Sequence, residues 1–98
     1  MAEEAAKVAP HVYKVLFEND RVRLLEVRMK PGDESANHAH PDYLLYTLAG
    51  GTVKLSDASG QSAEVEIKAG ETMWRPAEEH SARNVGTTDL HAIFVELK

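Results

Sequence analysis

The chain has 98 residues, a length that predicts one small domain. It carries 11 Lys and Arg against 16 Asp and Glu, a net charge of −5 with histidine neutral, which argues against a nucleic-acid-binding module. Cysteine is absent, and its absence excludes disulfides, a thiol nucleophile, cysteine-based zinc fingers and iron–sulfur clusters.

The location of the protein is expected to be the cytoplasm. No apolar run approaches the ~20 residues that a membrane span needs. The start of the chain, MAEEAAKVAPH, is acidic and lacks the apolar region of a signal peptide. We therefore expect neither a membrane nor a nucleic acid as a partner.

Residues 1–10 are rich in Ala and Glu and end at Pro10. We interpret them as an N-terminal tail, either frayed or forming one helical turn, without a function of its own. Residues 11–98 then form a single domain. This domain contains nine short segments rich in β-branched and aromatic residues, separated by turn signals: Val12–Phe17, Arg21–Met29, Ala36–His40, Tyr43–Leu48, Thr52–Ser56, Ser62–Ile67, Thr72–Arg75, His80–Val85 and His91–Leu97. Regularly spaced short strands of this kind, without a convincing helix, predict an all-β sandwich or barrel.

The alternation of side chains predicts which residues share a face of a strand. In the last segment one face holds His91, Ile93, Val95 and Leu97, and the other holds Leu90, Ala92, Phe94 and Glu96. The pair Leu24-Leu25 breaks the alternation in its segment, which indicates a bulge or a strand that crosses between sheets.

Five histidines in so short a chain are its most unusual feature, and His38 and His40 form an H-x-H pair. On a strand, residues two apart point to the same face, with Cα atoms roughly 6.6–6.8 Å apart. Two such imidazoles are able to share one metal ion, or they are two exposed polar residues. His80, which opens a strand after a turn, is the candidate third ligand. Neutral imidazole suits zinc, copper, iron and nickel.

Two blocks of the chain resemble the two motifs of the cupin family. Gly32, five residues, His38-x-His40 and a run ending at Gly50 are similar to the first motif. Gly70, five residues, Pro76, His80 and, four positions later, Asn84 are similar to the second. The phrases PDYLLYTLAGG, MWRPAEEHSARNVGTTDLH and VELK look most like small single-domain cupins of the BauB-like group, associated with β-alanine degradation.

The resemblance implies a double-stranded β-helix, or jelly roll, with one divalent metal ion (zinc, iron, nickel or manganese) held by His38, His40 and His80. Two departures stand out. The first motif usually has a Glu where this chain has Tyr43, and the second is one residue shorter and lacks a Gly before its His. Tyr43 either reaches the metal or its water, or is a core aromatic. Glu78 and Glu79 either replace the missing carboxylate or are solvated in a turn.

Each of the other residues near these motifs has two possible roles. His91 orients a ligand or serves as a general base if its face is inward, and otherwise lies exposed at the strand entrance. Trp74 stacks on a ligand or belongs to the core. Arg75 and Arg83 clamp a substrate carboxylate or are surface charges. His11 is expected on the surface.

Three functions remain compatible with the sequence. The first is a metal-dependent enzyme for a small organic acid, of the dioxygenase, isomerase or decarboxylase type, in which His91 or Tyr43 handles protons. The second is a non-enzymatic module that binds a small ligand or a metal. The third is a barrel without metal that serves a structural role, since one fold hosts many functions. In each case we expect a homodimer in which residues 12–17 cover a partner's sheet edge.

Overall fold

A computed structural model describes residues 3–98, which form one short helix and nine strands. The helix α1 is Ala5–Val8. The strands are β1 Tyr13–Glu18, β2 Val22–Met29, β3 Glu34–His40, β4 Tyr43–Ala49, β5 Gly51–Ser56, β6 Ser62–Ile67, β7 Thr72–Arg75, β8 Glu78–Asn84 and β9 Leu90–Leu97. The nine strands expected from the sequence are confirmed. Among the residues described, no helix is long and apolar enough to cross a membrane.

The strands form two antiparallel sheets that enclose one apolar core. The first sheet has the order β1-β2-β9-β4-β7, and the second has the order β3-β8-β5-β6. Leu25 and Val27 of the first sheet pack in the same buried cluster as Val53 and Ala82 of the second. This arrangement confirms the expected jelly-roll architecture, because every sheet turns one face of alternating side chains towards the other.

The break in alternation at Leu24-Leu25 coincides with a bulge, and the extra residue belongs to the neighbouring strand. In β1, Val15 pairs with Leu25 and Phe17 pairs with Leu24, so Leu16 has no partner of its own. β2 itself pairs with β9 without interruption. β2 therefore stays regular, with Leu25 buried between the sheets and Leu24 on the outer face.

The N-terminal segment packs against the domain as a helical turn. Ala5 and Ala9 are buried, with 1% and 0% of their surface exposed. The carbonyl of Glu3 accepts a hydrogen bond of 2.8 Å from the amide of Ala39, and Glu4 forms a parallel bridge to the same residue. Of the two alternatives for this segment, the helical turn is correct, and it lies against β3 between His38 and His40.

Candidate metal centre

The side chains of His38, His40 and His80 meet between the two sheets. β3 and β8 are neighbours, and His38 and His80 are direct partners in their register. The three residues are 0%, 3% and 5% exposed, and one ring nitrogen of each lies within 4.8 Å of one ring nitrogen of the others. The three-histidine cluster expected from the sequence is thus confirmed.

A bulge in β3 aims the histidine pair inward. Ser35 pairs with Ala82 and His38 pairs with His80, so β3 holds one residue more than β8 over this stretch. Ser35 and His38 are consequently both buried although they are three positions apart. The bulge also turns the carbonyl of Ala36 towards Nδ1 of His38, at 2.8 Å. Bulges often re-aim side chains next to functional sites in this way.

Hydrogen bonds define which nitrogen of His38 and of His40 carries the proton. A carbonyl oxygen only accepts, so Nδ1 of His38 donates to Ala36. Nδ1 of His40 lies 2.5 Å from the carboxylate oxygen Oε2 of Glu96, which likewise assigns the proton to Nδ1. Both Nε2 atoms then carry lone pairs, and they face each other at 3.0 Å.

This pair of nitrogens fits a cation. Two acceptors at 3.0 Å repel each other unless a cation or a hydrogen-bond donor lies between or beside them. The hydroxyl of Tyr13, 3.2 Å from Nε2 of His38, is placed to donate to that nitrogen, whereas a cation would satisfy both nitrogens. Nitrogens bound to one zinc ion at about 2.0–2.1 Å lie about 3–3.4 Å apart, which is close to the separation observed. His80 adds a further open position, because its buried Nδ1 has no hydrogen-bond partner. That atom lies 3.2 Å from Oε1 of Glu78, but the two are not aligned as a hydrogen bond.

Comparison with known proteins identifies the family. Residues 25–96 match the cupin domain. The chain belongs to the cupin family. A crystal structure of a cupin domain from Bordetella pertussis is 27% identical, with a TM-score of 0.81 over 100% of this chain and 97% of that one.

Two further crystal structures share the fold of this cupin. A conserved protein with a double-stranded β-helix domain from Klebsiella pneumoniae is 22% identical, with a TM-score of 0.69 over 88% of this chain and 75% of that one. An RmlC-like cupin from Methanocaldococcus jannaschii is 17% identical, with a TM-score of 0.67 over 88% and 78%. None of the curated protein sequences matches the chain.

The electrostatic surroundings of the cluster favour a bound cation. Burial lowers the pKa of both His38 and His80 from 6.5 to about 4, so both rings are neutral and keep a lone pair near neutral pH. Two carboxylates border the histidine cluster, Glu96 beside His40 and Glu78 beside His80. Neutral imidazoles beside carboxylates are the donor chemistry of divalent transition-metal sites.

Tyr43, which stands where most cupins have a Glu, is buried beside the cluster. Its ring stacks on Phe94 at a centroid distance of 5.0 Å and lies 4.6 Å from the ring of His40. Its hydroxyl donates a 2.7 Å hydrogen bond to Oε2 of Glu78. Burial raises the pKa of Tyr43 well above its usual range, so the hydroxyl stays protonated. Tyr43 is both a core aromatic and a neighbour of the cluster.

Glu78 is partly buried at the cluster rather than solvated, whereas Glu79 is exposed. Arg75 donates two hydrogen bonds to it, of 2.6 and 2.8 Å. Burial opposes ionisation of Glu78, but the bonds from Arg75 and Tyr43 outweigh it and lower the pKa to about 2. The guanidinium expected to clamp a substrate carboxylate is therefore engaged by a carboxylate of the chain itself.

Sequence reasoning missed two residues at this site, Tyr13 and Glu96. The hydroxyl of Tyr13 lies 3.2 Å from Nε2 of His38, and its ring is edge-on to the same imidazole at 5.1 Å. Tyr13 begins a strand whose other residues are exposed, so its pattern gave no signal. The sequence does contain a signal for Glu96, because it is the only acidic residue on the face of the last strand that carries Leu90 and Ala92.

Three residues expected near the site lie on outer faces of the sheets. His91 points away from the core and contacts Glu26 at 3.0 Å, because the inward face of β9 is the one that carries Ala92 and Glu96. Arg83 is exposed between two buried neighbours on β8. Trp74 is 55% exposed, so it is neither in the core nor at the cluster. The positions of these residues do not support the roles expected for them, whereas His11 is exposed as expected.

A small cavity adjoins the cluster inside the cupin barrel. Its volume is about 70 Å³, and its walls are almost entirely apolar. Tyr13, Tyr43, Arg75 and His80 are the lining residues that carry polar groups. Val27, Leu45, Val53, Ile67 and Leu90 are among the apolar residues that line it. A ligand in this cavity would place an apolar group among these side chains and would reach the cluster at His80.

We predict that the metal-free protein loses thermal stability as the pH falls from about 6.5 to 4. Folded His38 and His80 resist protonation down to about pH 4, whereas the unfolded chain takes up these protons near pH 6.5. The unfolded state thus binds more protons in this interval, and the free energy of unfolding decreases with decreasing pH. Calorimetric Tm values across the interval test this.

The matched variants for this test are His80→Asn and His11→Ala. His80→Asn removes one of the two buried groups and should give a shallower decline of Tm. His11→Ala changes an exposed residue and should follow the wild type. A constant Tm between pH 6.5 and 4, or the same slope in His80→Asn and wild type, would contradict the prediction.

Proposed function

We propose that this cupin binds one divalent metal ion through His38, His40 and His80. The observation that carries the proposal is the 3.0 Å contact between two Nε2 atoms whose rings both donate through Nδ1. Three imidazoles favour zinc, iron or nickel over manganese, which prefers oxygen ligands. A metal held by three protein ligands supplies a Lewis acid or an oxygen-activating centre.

The ligand that the cavity fits best is a small organic molecule with a short apolar part. The cavity of about 70 Å³ supports this because its walls are almost entirely apolar and His80 is among the residues that line it. With Arg75 engaged by Glu78, an acidic ligand would meet the histidine cluster rather than a free guanidinium. We propose an enzyme of the dioxygenase, isomerase or decarboxylase type for such a small acid, with Tyr43 placed to hold a proton near the cluster.

A binding module without catalysis is the second candidate. The hydroxyls of Tyr13 and Tyr43 have raised pKa values, and Glu78 is held as a carboxylate by Arg75. None of the three is poised near neutral pH as a general base, which favours binding over proton transfer. The narrower resemblance to the BauB-like group stays a prediction, since none of the three structures named above is described in those terms.

Metal content tests the proposed centre. Purified or refolded protein should hold about one metal ion per chain, and His80→Ala should lose it while His11→Ala retains it. The reason is that His80 supplies one of three buried donors and His11 lies on the surface. Elemental analysis after dialysis measures this. Less than about 0.1 ion per chain in the wild type, or equal retention in both variants, would refute the centre.

Turnover distinguishes the enzyme from the binding module. We expect the metal-loaded protein to convert at least one member of a panel of small keto acids and semialdehydes, and His80→Ala to be inactive on the same compound. Product formation is followed by NMR, and binding is followed by calorimetry. Tight binding without product across the panel would reject the enzyme in favour of the binding module.

We also propose that the protein forms a homodimer through the outer face of its first sheet. Phe17, Leu24, Val95, Leu44 and Trp74 are register partners in succession across all five strands of that sheet. Phe17, Leu44 and Trp74 are 54%, 43% and 55% exposed. A continuous apolar row of this kind is rare on monomers, and a two-fold axis would bury it against its own copy. β1, which is part of the segment expected to contact a partner, is an edge strand of this sheet and contributes Phe17 to the row.

Light scattering at micromolar concentration tests the dimer. The wild type should have twice the mass of one chain, and Leu44→Glu should be monomeric because it places a charge within the row. Arg83→Glu introduces the same side chain on the outer face of the other sheet and should remain dimeric. A monomeric wild type, or a dimeric Leu44→Glu, would contradict the proposed interface.

A further inference from the structure

Glu96 occupies a position that otherwise suits an apolar residue. It follows Leu90, Ala92 and Phe94 on the inward face of β9, and its side chain is only 2% exposed. Taking a carboxylate out of water is unfavourable unless strong polar contacts compensate it. The contacts that Glu96 makes therefore indicate why an acid stands here.

The shortest of these contacts is with His40. Oε2 of Glu96 lies 2.5 Å from Nδ1 of His40, and both side chains are buried. Its other oxygen, Oε1, is 3.5 Å from a guanidinium nitrogen of Arg23. That guanidinium is bound more closely by Glu4 and Glu18, at 2.6 and 2.9 Å. Arg23 thus offsets part of the buried charge, while the carboxylate is directed at the imidazole.

We propose that Glu96 is a positioning residue that sets the affinity of the metal centre by fixing the tautomer and the ring orientation of His40. An ionised carboxylate accepts hydrogen bonds only, so it requires the proton of His40 on Nδ1 and leaves the lone pair on Nε2 facing His38. A carboxylate behind a metal-binding imidazole also makes that imidazole a stronger donor. This inference rests on the proposed metal centre, but Glu96 itself is not one of the three ligands.

An amide in the same place would act differently. The side chain of Gln has nearly the shape of Glu, yet its NH₂ group donates. It therefore permits the opposite tautomer of His40, in which Nε2 carries the proton and has no lone pair for a cation. The variant Glu96→Gln changes this chemical property while it preserves the volume of the buried side chain.

The chain provides a matched control in Glu26→Gln. Glu26 also accepts from a histidine, with Oε2 at 3.0 Å from Nε2 of His91. This pair joins β2 and β9 within one sheet, whereas Glu96 and His40 join β9 to β3 of the other sheet. It lies on the outer face, away from the cluster. Both variants remove one carboxylate charge from a Glu–His pair. A difference in zinc affinity between them therefore measures the effect of the buried carboxylate beside His40.

Two measurements test the inference on the wild type and both variants. In the metal-free protein, ¹⁵N chemical shifts of the imidazoles should show the proton of His40 on Nδ1 in the wild type and in Glu26→Gln. In Glu96→Gln they should show a mixture or the Nε2 form. Competition with a chelator should show zinc binding weakened about 10- to 100-fold in Glu96→Gln and less than about twofold in Glu26→Gln.

The outcomes separate this inference from the proposed function. A wild type that does not bind zinc refutes the metal centre and, with it, the inference. A wild type that binds zinc while Glu96→Gln binds it as tightly as Glu26→Gln refutes the inference alone. If Glu96→Gln does not fold, the wild-type spectrum still decides, because a His40 proton on Nε2 would overturn the proposal and a proton on Nδ1 would support it.

Discussion

Two imidazole nitrogens that face each other at 3.0 Å, each with a lone pair, are the feature on which the rest of the site depends. The arrangement exists because the opposite nitrogen of each ring is already bound, by Ala36 on one side and by Glu96 on the other. Burial lowers the pKa of His38 to about 4, so His38 does not supply a proton to this gap near neutral pH. A divalent cation satisfies both nitrogens at once, and a ring nitrogen of His80 lies within 4.8 Å of a ring nitrogen of each of the other two histidines.

Four elements of the fold support this arrangement. The bulge in β3 brings Ser35 and His38 to one side and supplies the carbonyl of Ala36. The pairing of β3 with β8 sets His80 opposite His38. The last strand, in the other sheet, contributes Glu96, and the N-terminal turn lies against Ala39 between the two histidines. Each donor is thus held by a rigid strand, which preserves the geometry of a binding site.

Much of this arrangement could be predicted from the sequence because it depends on local pattern. Short β-branched segments and turn residues give the nine strands, and two histidines two apart on a strand necessarily share a face. Alternation also divides the last strand correctly into two sets, but it does not tell which set is inward. The sequence therefore leaves His91 as a candidate, whereas Glu96, in the other set, is the residue that contacts the cluster.

The remaining differences arise from contacts between distant segments. Glu78 looks like a solvated turn residue until Arg75 and Tyr43 are seen to bind it. Trp74, which looks like a core aromatic, lies on an outer sheet face whose apolar character emerges only when the strands are placed side by side. Tyr13 reaches His38 because β1 packs at the open edge of the first sheet, and local sequence does not determine that packing.

Anomalous diffraction from crystals soaked in zinc, with data on both sides of the zinc absorption edge, tests the central claim most directly. The account predicts one strong peak within bonding distance, about 2.0–2.1 Å, of a ring nitrogen from each of His38, His40 and His80. A peak only at surface residues, or a direct hydrogen bond between the two Nε2 atoms with no peak in a zinc-saturated crystal, would contradict it.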